Sequence, residues 1–301
     1  MSSGSPWTIA VLGPGGVGGL LAALAARAGH RVICLASEET AKALSRDGIQ
    51  VRSRQFGEFT ARVEADTELR EPVDVCLITV KQTALGPALQ RIPPEKLGEG
   101  LIVPLLNGVE HPDVLRRRYR PDLVAPSVIR VESTRVAPGT IEHGSPFVEV
   151  DLASATAKRE RLDVVAEMLT AAGIPTKVQD SETATLWAKM TFLAPLALLT
   201  TRYRLTTGDL RTQRRDELLA VIEETAAVSR AAGAPADAEA TLRFYDSLPA
   251  GMKSSMQRDA EAGRPSELDA IGGALLRAAK RHGVAVPVAT RLVADLTGAG
   301  H

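Results

Sequence analysis

The feature that most limits the fold is near the start of the chain, where a β-rich apolar run, Thr8–Leu12 (TIAVL), passes straight into Gly13-Pro14-Gly15-Gly16-Val17-Gly18. At Gly18 the sequence becomes GGLLAALAARAG, in which Leu20, Leu21, Leu24 and Ala25 share one helix face and Gly29 stands where a helix should stop. A second β-rich run, Arg31–Leu35 (RVICL), follows at once. Strand, glycine turn, helix and strand in this order make G-x-G-x-x-G a dinucleotide-binding signature, which the glycine spacing alone would not be. Gly13 allows the tight turn, Gly15 lets a pyrophosphate approach the backbone, and Gly18 permits close packing of helix on sheet. The unpaired amides at the helix start then face the phosphates.

The rest of the chain fits this beginning. Further β-rich runs occur at Val73–Val80 and Leu101–Leu105, with weaker ones at Leu123–Val131 and Thr140–Val150, so the first half reads as a parallel sheet with crossover helices. After Val150 the chain turns to Ala-, Leu-, Arg- and Glu-rich stretches of helical period. Helices are expected over Ala157–Ala172, Ser181–Leu199, Asp216–Ala232, Asp237–Asp246 and Pro265–His282, with a short strand at Thr176–Val178 completing the first domain. The expected division is residues 1–179 as a Rossmann-type dinucleotide-binding domain and 180–301 as a helical substrate and catalytic domain.

Charge narrows the function classes. With 36 basic and 36 acidic residues the formal net charge is zero, and aromatics make up 3% of the chain. A nucleic-acid binder needs surplus Lys and Arg or a platform of stacking rings, so a small-molecule partner is expected, with no nucleic acid. Cys34 and Cys76 sit inside apolar runs and make no disulfide framework, which suits a reducing cytoplasm. The N-terminal stretch MSSGSPWTIAVLGPGG lacks a signal-like pattern, and no uninterrupted apolar run approaches about 18 residues. Neither secretion nor a membrane is expected.

The residues after the second strand, Ser37-Glu38-Glu39-Thr40, leave the choice of dinucleotide open. Glu38 or Glu39 could bond an unphosphorylated ribose, or could simply favour the first turn of a helix. Ser37 and Thr40 could donate to a 2′-phosphate, with Arg52 or Arg54 reaching in from the next segment. The five histidines offer no pair with metal-ligand spacing, so no metal is expected. His30 lies in a helix-to-strand turn, His111 and His143 in expected loops, His282 near a helix end, and His301 last in the chain. The run Arg116-Arg117-Arg118-Tyr119-Arg120 reads as a solvated helix face.

Taken together, the motifs resemble those of the ketopantoate reductases (2-dehydropantoate 2-reductases), over nearly the whole chain. The resemblance rests on the glycine turn, Thr79-Val80-Lys81, Leu106-Asn107-Gly108, Pro138-Gly139-Thr140-Ile141-Glu142-His143 and Trp187-Ala188-Lys189, in that order. It continues through Ser254-Ser255-Met256-Gln257-Arg258-Asp259, Gly263-Arg264-Pro265-Ser266-Glu267-Leu268-Asp269 and His282-Gly283-Val284-Ala285-Val286-Pro287. It implies an α/β protein: an N-terminal Rossmann-type doubly wound sheet followed by an all-helical domain similar to that of 6-phosphogluconate dehydrogenase. It also implies NADPH-dependent reduction of a 2-oxo acid to a 2-hydroxy acid, ketopantoate to pantoate in pantothenate biosynthesis, with NAD(H) as the alternative cofactor. The expected partner is the small-molecule 2-oxo acid, and a homodimer is the assembly to test.

By the same resemblance Lys189 is the general acid, answering the negative charge that reduction places on the ketone oxygen. Glu267 contacts substrate or Lys189, and Ser255 and Asn107 bind the substrate. Gly13, Pro14, Gly15, Gly16, Val17, Gly18, Ser37, Lys81 and Asn107 are the cofactor-binding set. Read without the resemblance, Lys189 would be a solvated helix lysine, Lys81 a loop lysine and Asn107-Gly108 a turn, while Glu267 would suit the first turn of a helix after Pro265. The chain departs from the family four and eight residues after the lysine. Asparagines are common there, and this chain has Leu193 and Ala197; a third family asparagine falls at Thr207. A less polar substrate than ketopantoate is the expectation that follows. A regulator that binds a dinucleotide without catalysis, and an NAD-dependent 2-hydroxy acid dehydrogenase, are the competing readings.

Overall fold

The computed structural model describes residues 5–298, so His301 and the first four residues lie outside the described residues. The strands are β1 (Thr8–Leu12), β2 (Arg31–Leu35), β3 (Ile49–Ser53), β4 (Gly57–Ala61), β5 (Glu64–Asp66), β6 (Val75–Ile78), β7 (Leu101–Pro104), β8 (Ser127–Arg130), β9 (Ser133–Ala137), β10 (Thr140–His143), β11 (Glu149–Leu152) and β12 (Thr176–Val178). Helices α1 (Gly16–Arg27), α2 (Glu38–Asp47), α3 (Leu85–Leu89), α4 (Pro94–Leu97), α5 (His111–Arg118) and α6 (Arg159–Ala171) connect them.

One sheet is fully parallel, in the order β5-β2-β1-β6-β7. Numbered by occurrence among these five strands, the order is 3-2-1-4-5, the doubly wound arrangement, and its direction reverses between β1 and β6. A four-stranded sheet, β4-β3-β10-β9, and a three-stranded sheet, β12-β11-β8, complete this part. Helix α1 is apolar all round, and Gly18 to Ala25 are all buried because it packs on β1 and β2 on one side and on β3, β4, β9 and β10 on the other. Leu20, Leu21 and Leu24 are essentially inaccessible, each contributing about 1.5–3 kcal/mol by leaving water.

The four-stranded sheet corrects the sequence reading, which had no strands between Leu35 and Val73. Strand β3, IQVRS, alternates buried and exposed residues, and β4, GEFTA, is mostly open to solvent, so neither carries the continuous apolar run of a doubly covered strand. The single strand expected over Thr140–Val150 is two strands in different sheets. Pro138-Gly139 is the two-residue turn joining β9 to β10, with Gly139 at φ +73°. The arginine run at the end of α5 is a solvated face only in part: Arg117 and Arg120 are exposed, whereas Arg116 and Arg118 are half-buried. Arg116 makes a two-pronged ion pair with Glu182 at 2.8 and 2.5 Å, and Tyr119 just beyond it is buried, donating to the Ile92 carbonyl.

The chain forms two compact units, one running to Leu106 and resuming over His111–Glu182, the other comprising Asn107–Glu110 and the residues from Thr183 on. The change falls after Glu182 rather than after Gln179. Gln179 still pairs with β11 through its amide to the Leu152 carbonyl, and the Glu182 carboxylate accepts from Arg116 and from the Ala155 amide. The second unit consists of α7 (Glu182–Tyr203), α8 (Thr207–Gln213), α9 (Arg215–Ala231), α10 (Ala238–Ser247), α11 (Ser255–Glu261), α12 (Ala274–His282) and α13 (Pro287–Gly298). Helix α7 runs through Pro195 and is long and apolar enough to cross a bilayer, but 67% of its apolar window is buried inside the protein, as in a core helix. The single helix expected over Pro265–His282 is interrupted: Pro265 to Glu267 are irregular, and a π-type turn, Asp269–Gly273, precedes α12.

Candidate active site

In the first unit the cofactor candidates gather at the C-terminal edge of the parallel sheet, at the switch between β1 and β6, where open α/β sheets bind ligands. Gly13 has φ +82°, and a Cβ there would stand 2.4 Å from Val80 Cγ1. A Cβ on Gly18 would stand 2.1 Å from Thr79 Oγ1 and 2.5 Å from the Gly13 carbonyl. Thr79 fastens the turn, its hydroxyl donating to the Leu12 and Gly13 carbonyls at 3.0 and 2.8 Å. Gly15 differs from these two, since the nearest atom to a Cβ there is 3.9 Å away. It is the N-cap of α1 and offers no side chain to the first amides of the helix, which leaves them for an anion. Gly16 has another task, for a Cβ would run into the Ser133 carbonyl at 2.2 Å, so this glycine lets β9 close on α1. Pro14 is buried and Val17 half-buried. The open ground over Gly15, flanked by two glycines that nothing larger could replace, fits the diphosphate of a dinucleotide.

Lys81, half-buried, lies three residues beyond β6 at the start of a 3₁₀ turn, Gln82–Ala84. Ser37 is the N-cap of α2, accepting from the Thr40 amide, with its hydroxyl 3.1 Å from Thr40 Oγ1. Glu38 pairs with Lys42 one turn along the same helix, at 2.7 Å, which is the first-turn placement. Arg52 lies in β3 and faces Glu142 at 3.6 Å, so it belongs to the four-stranded sheet, and Arg54 follows that strand with its amide bonded to the His143 carbonyl.

In the second unit Asn107 and Glu267, 160 residues apart, meet. Asn107 Nδ2 donates to Glu267 Oε2 at 2.9 Å, and Glu267 is 8% exposed. Because a carboxylate only accepts, this bond sets which way the amide points. Glu267 stands just before the helical turn, its carbonyl accepting from the Ile271 amide, a place where a carboxylate also suits the helix dipole. Two further contacts hold the Asn107–Glu110 segment. Gly108, at φ +89°, brings its Cα against the backbone of Ala270, where a Cβ would stand 2.4 Å from the carbonyl oxygen. Arg277 on α12 bonds Glu110 at 2.7 Å and Asp269 at 2.7 Å. Gly273 leaves the room this requires, since a Cβ there would meet Asp269 Oδ1 at 2.4 Å.

Lys189 is half-buried on α7. Leu193 and Ala197, one and two turns on, fall to 8% and 0% exposure within the apolar core of this unit, so the face bearing the lysine runs inward on hydrocarbon. Thr207 is fully buried and gives its hydroxyl to the Pro249 carbonyl at 2.6 Å. Ser255 opens α11 and is exposed, whereas its neighbour Ser254 is buried as the cap of that helix, its hydroxyl 2.7 Å from that of Thr200. His143 is no loop residue. It ends β10, is buried, and lies between the hydroxyls of Ser53 and Ser145 at 2.8 and 3.0 Å. His111 opens α5. Among the described residues, no group of three or more His, Cys, Asp or Glu is placed to hold a metal ion. Sequence reasoning missed Thr79 as the fastener of the glycine turn and the Glu110–Arg277–Asp269 cluster, whose members are joined only by folding.

The profile of a family described as "Ketopantoate reductase PanE/ApbA" matches residues 9–154, and that of its C-terminal domain matches residues 183–299. An "Uncharacterized oxidoreductase YkpB" of Bacillus subtilis is 28% identical over 293 residues, which are 95% of this chain and 96% of that one. The "2-dehydropantoate 2-reductase" of Mycobacterium tuberculosis is 28% identical over 97% of each chain. Among solved structures, D-mandelate dehydrogenase with NADH and anilino(oxo)acetate superposes with a TM-score of 0.88 over 97% of each chain. At 19% identity that last likeness is one of fold.

Proposed function

The chain belongs to the ketopantoate reductase family of oxidoreductases, and from that premise we propose that it reduces a 2-oxo acid to the 2-hydroxy acid with NADPH, the substrate being less polar than ketopantoate. The observation that carries the reading is the open cradle over Gly15 at the uncapped start of α1. When bound, the reduced nicotinamide supplies a hydride to the ketone carbon. The chain's own residues handle charge and orientation. Lys189 presents an ammonium to the ketone oxygen and gives it a proton as negative charge develops there. Asn107 has one amide proton engaged by Glu267, which aims the other as a donor to the substrate carboxylate, and the Ser255 hydroxyl is a second donor. Glu267 acts by holding that amide in one orientation. Lys81 carries a positive charge at the sheet edge for the cofactor. A cytoplasmic setting accords with two buried free thiols, Cys34 and Cys76.

The substrate reading rests on Leu193 and Ala197. A site that offers hydrocarbon where an amide would stand gives no partner to a substrate hydroxyl, and a buried hydroxyl without a partner costs about 1–3 kcal/mol. The test compares kcat/KM for ketopantoate with that for branched 2-oxo acids lacking the hydroxyl, following NADPH consumption. Preference for the hydrocarbon acids is expected, together with a loss of at least about 100-fold in kcat for Lys189→Ala, the lower end of general-acid contributions. A clear preference for ketopantoate refutes the substrate class. An unchanged kcat in the variant removes Lys189 from the mechanism. NADPH binding without turnover of any 2-oxo acid favours a regulator, and saturable oxidation of a 2-hydroxy acid with NAD in preference to NADP favours a dehydrogenase.

A further inference from the structure

The two arginines that the sequence offered for a cofactor 2′-phosphate, Arg52 and Arg54, belong to the four-stranded sheet, but another arginine lies at the right edge of the parallel one. Arg91 follows α3, and its Nη1 donates to the carbonyls of Ala36 at 2.8 Å and Thr67 at 2.6 Å. These are the first residues beyond the C-terminal ends of β2 and β5. The guanidinium is therefore held at the ligand-binding edge of the sheet, and one of its anchors adjoins Ser37.

Both anchors are neutral, and both are taken by one nitrogen. An arginine has five N–H donors, so Nε and Nη2 keep three, and among the described residues no hydrogen bond or ion pair of Arg91 involves them. Two acidic residues close in sequence to these anchors, Asp66 and Glu38, are committed elsewhere. Asp66 accepts from Arg70 at 2.7 Å and from the Thr67 amide at 2.6 Å, an arrangement that holds its carboxyl down at about 2, chiefly through Arg70. Glu38 pairs with Lys42. What remains is a half-buried cation whose planar fork suits phosphate oxygens, beside the residue after the second strand where dinucleotide sites distinguish the two ribose forms.

The geometry points to Arg91 as the residue that takes the adenosine 2′-phosphate of NADP(H), with Ser37 beside it. This rests on the dinucleotide reading of the glycine turn and deepens it by assigning the cofactor's distinguishing group to a side chain. The Nη1 bonds hold the fork rigid, and the remaining donors supply the charge-assisted contacts.

The test is direct binding to the full chain, read by cofactor fluorescence, with Kd measured for NADPH and NADH and with 2′,5′-ADP and 5′-AMP as competitors. Arg91→Gln is expected to raise the Kd of NADPH and of 2′,5′-ADP by at least about tenfold, the scale of one lost charged hydrogen-bonding partner. NADH and 5′-AMP should change by less than about twofold. Arg91→Lys, which keeps the charge and loses the fork, should fall between. Equal weakening of NADPH and NADH would mean that Arg91 only shapes the ends of β2 and β5, and would overturn the assignment. So would an unchanged Kd for NADPH, or a wild-type protein that binds NADH but not NADPH. A wild-type protein that binds neither cofactor fails the dinucleotide reading itself, which separates that outcome from failure of Arg91 alone.

Discussion

Replacing Gly108 by alanine isolates the contact that seats Asn107 against Glu267. Two costs are expected. The first is conformational, because Gly108 has φ +89° and an alanine held in left-handed backbone costs about 1–2 kcal/mol. The second is steric. The new Cβ would stand 2.4 Å from the Ala270 carbonyl oxygen, a backbone atom at the start of the π-type turn that cannot swing aside as a flexible side chain would. Overpacking of this kind costs about 1–3 kcal/mol. Gly233 provides the control within the same unit, since it has φ +86° but nothing within 4 Å of its Cβ position. Gly233→Ala should therefore cost about 1–2 kcal/mol and Gly108→Ala about 2–5 kcal/mol. Denaturant unfolding of both variants at unchanged m-value measures the difference. Because relief of the clash moves Asn107 away from its 2.9 Å bond to Glu267, KM for the 2-oxo acid should rise in Gly108→Ala and stay level in Gly233→Ala. Equal stability losses, or a KM that moves in neither variant, would refute the claim that this close approach holds the asparagine in place.

Two further outcomes follow from burial. Leu193→Asn puts an amide one turn from Lys189, and the ratio of kcat/KM for ketopantoate to that for an unhydroxylated branched 2-oxo acid should rise by at least about tenfold; an unmoved ratio would show that this face does not read the substrate. Burial pushes both the Cys34 and Cys76 thiols from 9.0 up to about 12. Between those values the unfolded chain has released protons that the folded one retains, so the stabilisation these thiols give is complete below pH 9 and is lost as pH rises toward 12. The urea midpoint should fall across that window, and less steeply in a Cys34→Ala/Cys76→Ala protein; parallel curves would refute the assignment to the thiols.

Much of this protein was legible from local sequence because its first elements are simple. TIAVL and RVICL are covered on both faces and so read as continuous apolar runs, and β1, β2 and β12 have the bounds expected of them. The glycine turn was legible because its spacing is read within one strand–helix–strand unit, although the neighbours that demand Gly13, Gly16 and Gly18 are the distant Val80, Ser133 and Thr79. The small sheet was harder, because strands such as β3 and β4 bury one face at most and carry charges on the other. The break after Pro265 was hidden because Ser266 and Glu267 suit a first helical turn equally well.

The sequence by itself determined the opening strand–helix–strand unit, the helical character of the second half, the dinucleotide-type turn and the residue types available for chemistry, since these depend on side-chain pattern over a few residues. Only the tertiary structure decided which of those residues act on one another. Asn107 is joined to Glu267 across 160 positions, Arg277 to Glu110 across 167, and Arg91 to the carbonyl of Ala36 across 55. No local spacing encodes such pairs. They exist because parallel strands end at a common edge and because a four-residue segment is seated on a distant helical turn, and the folded backbone sets both.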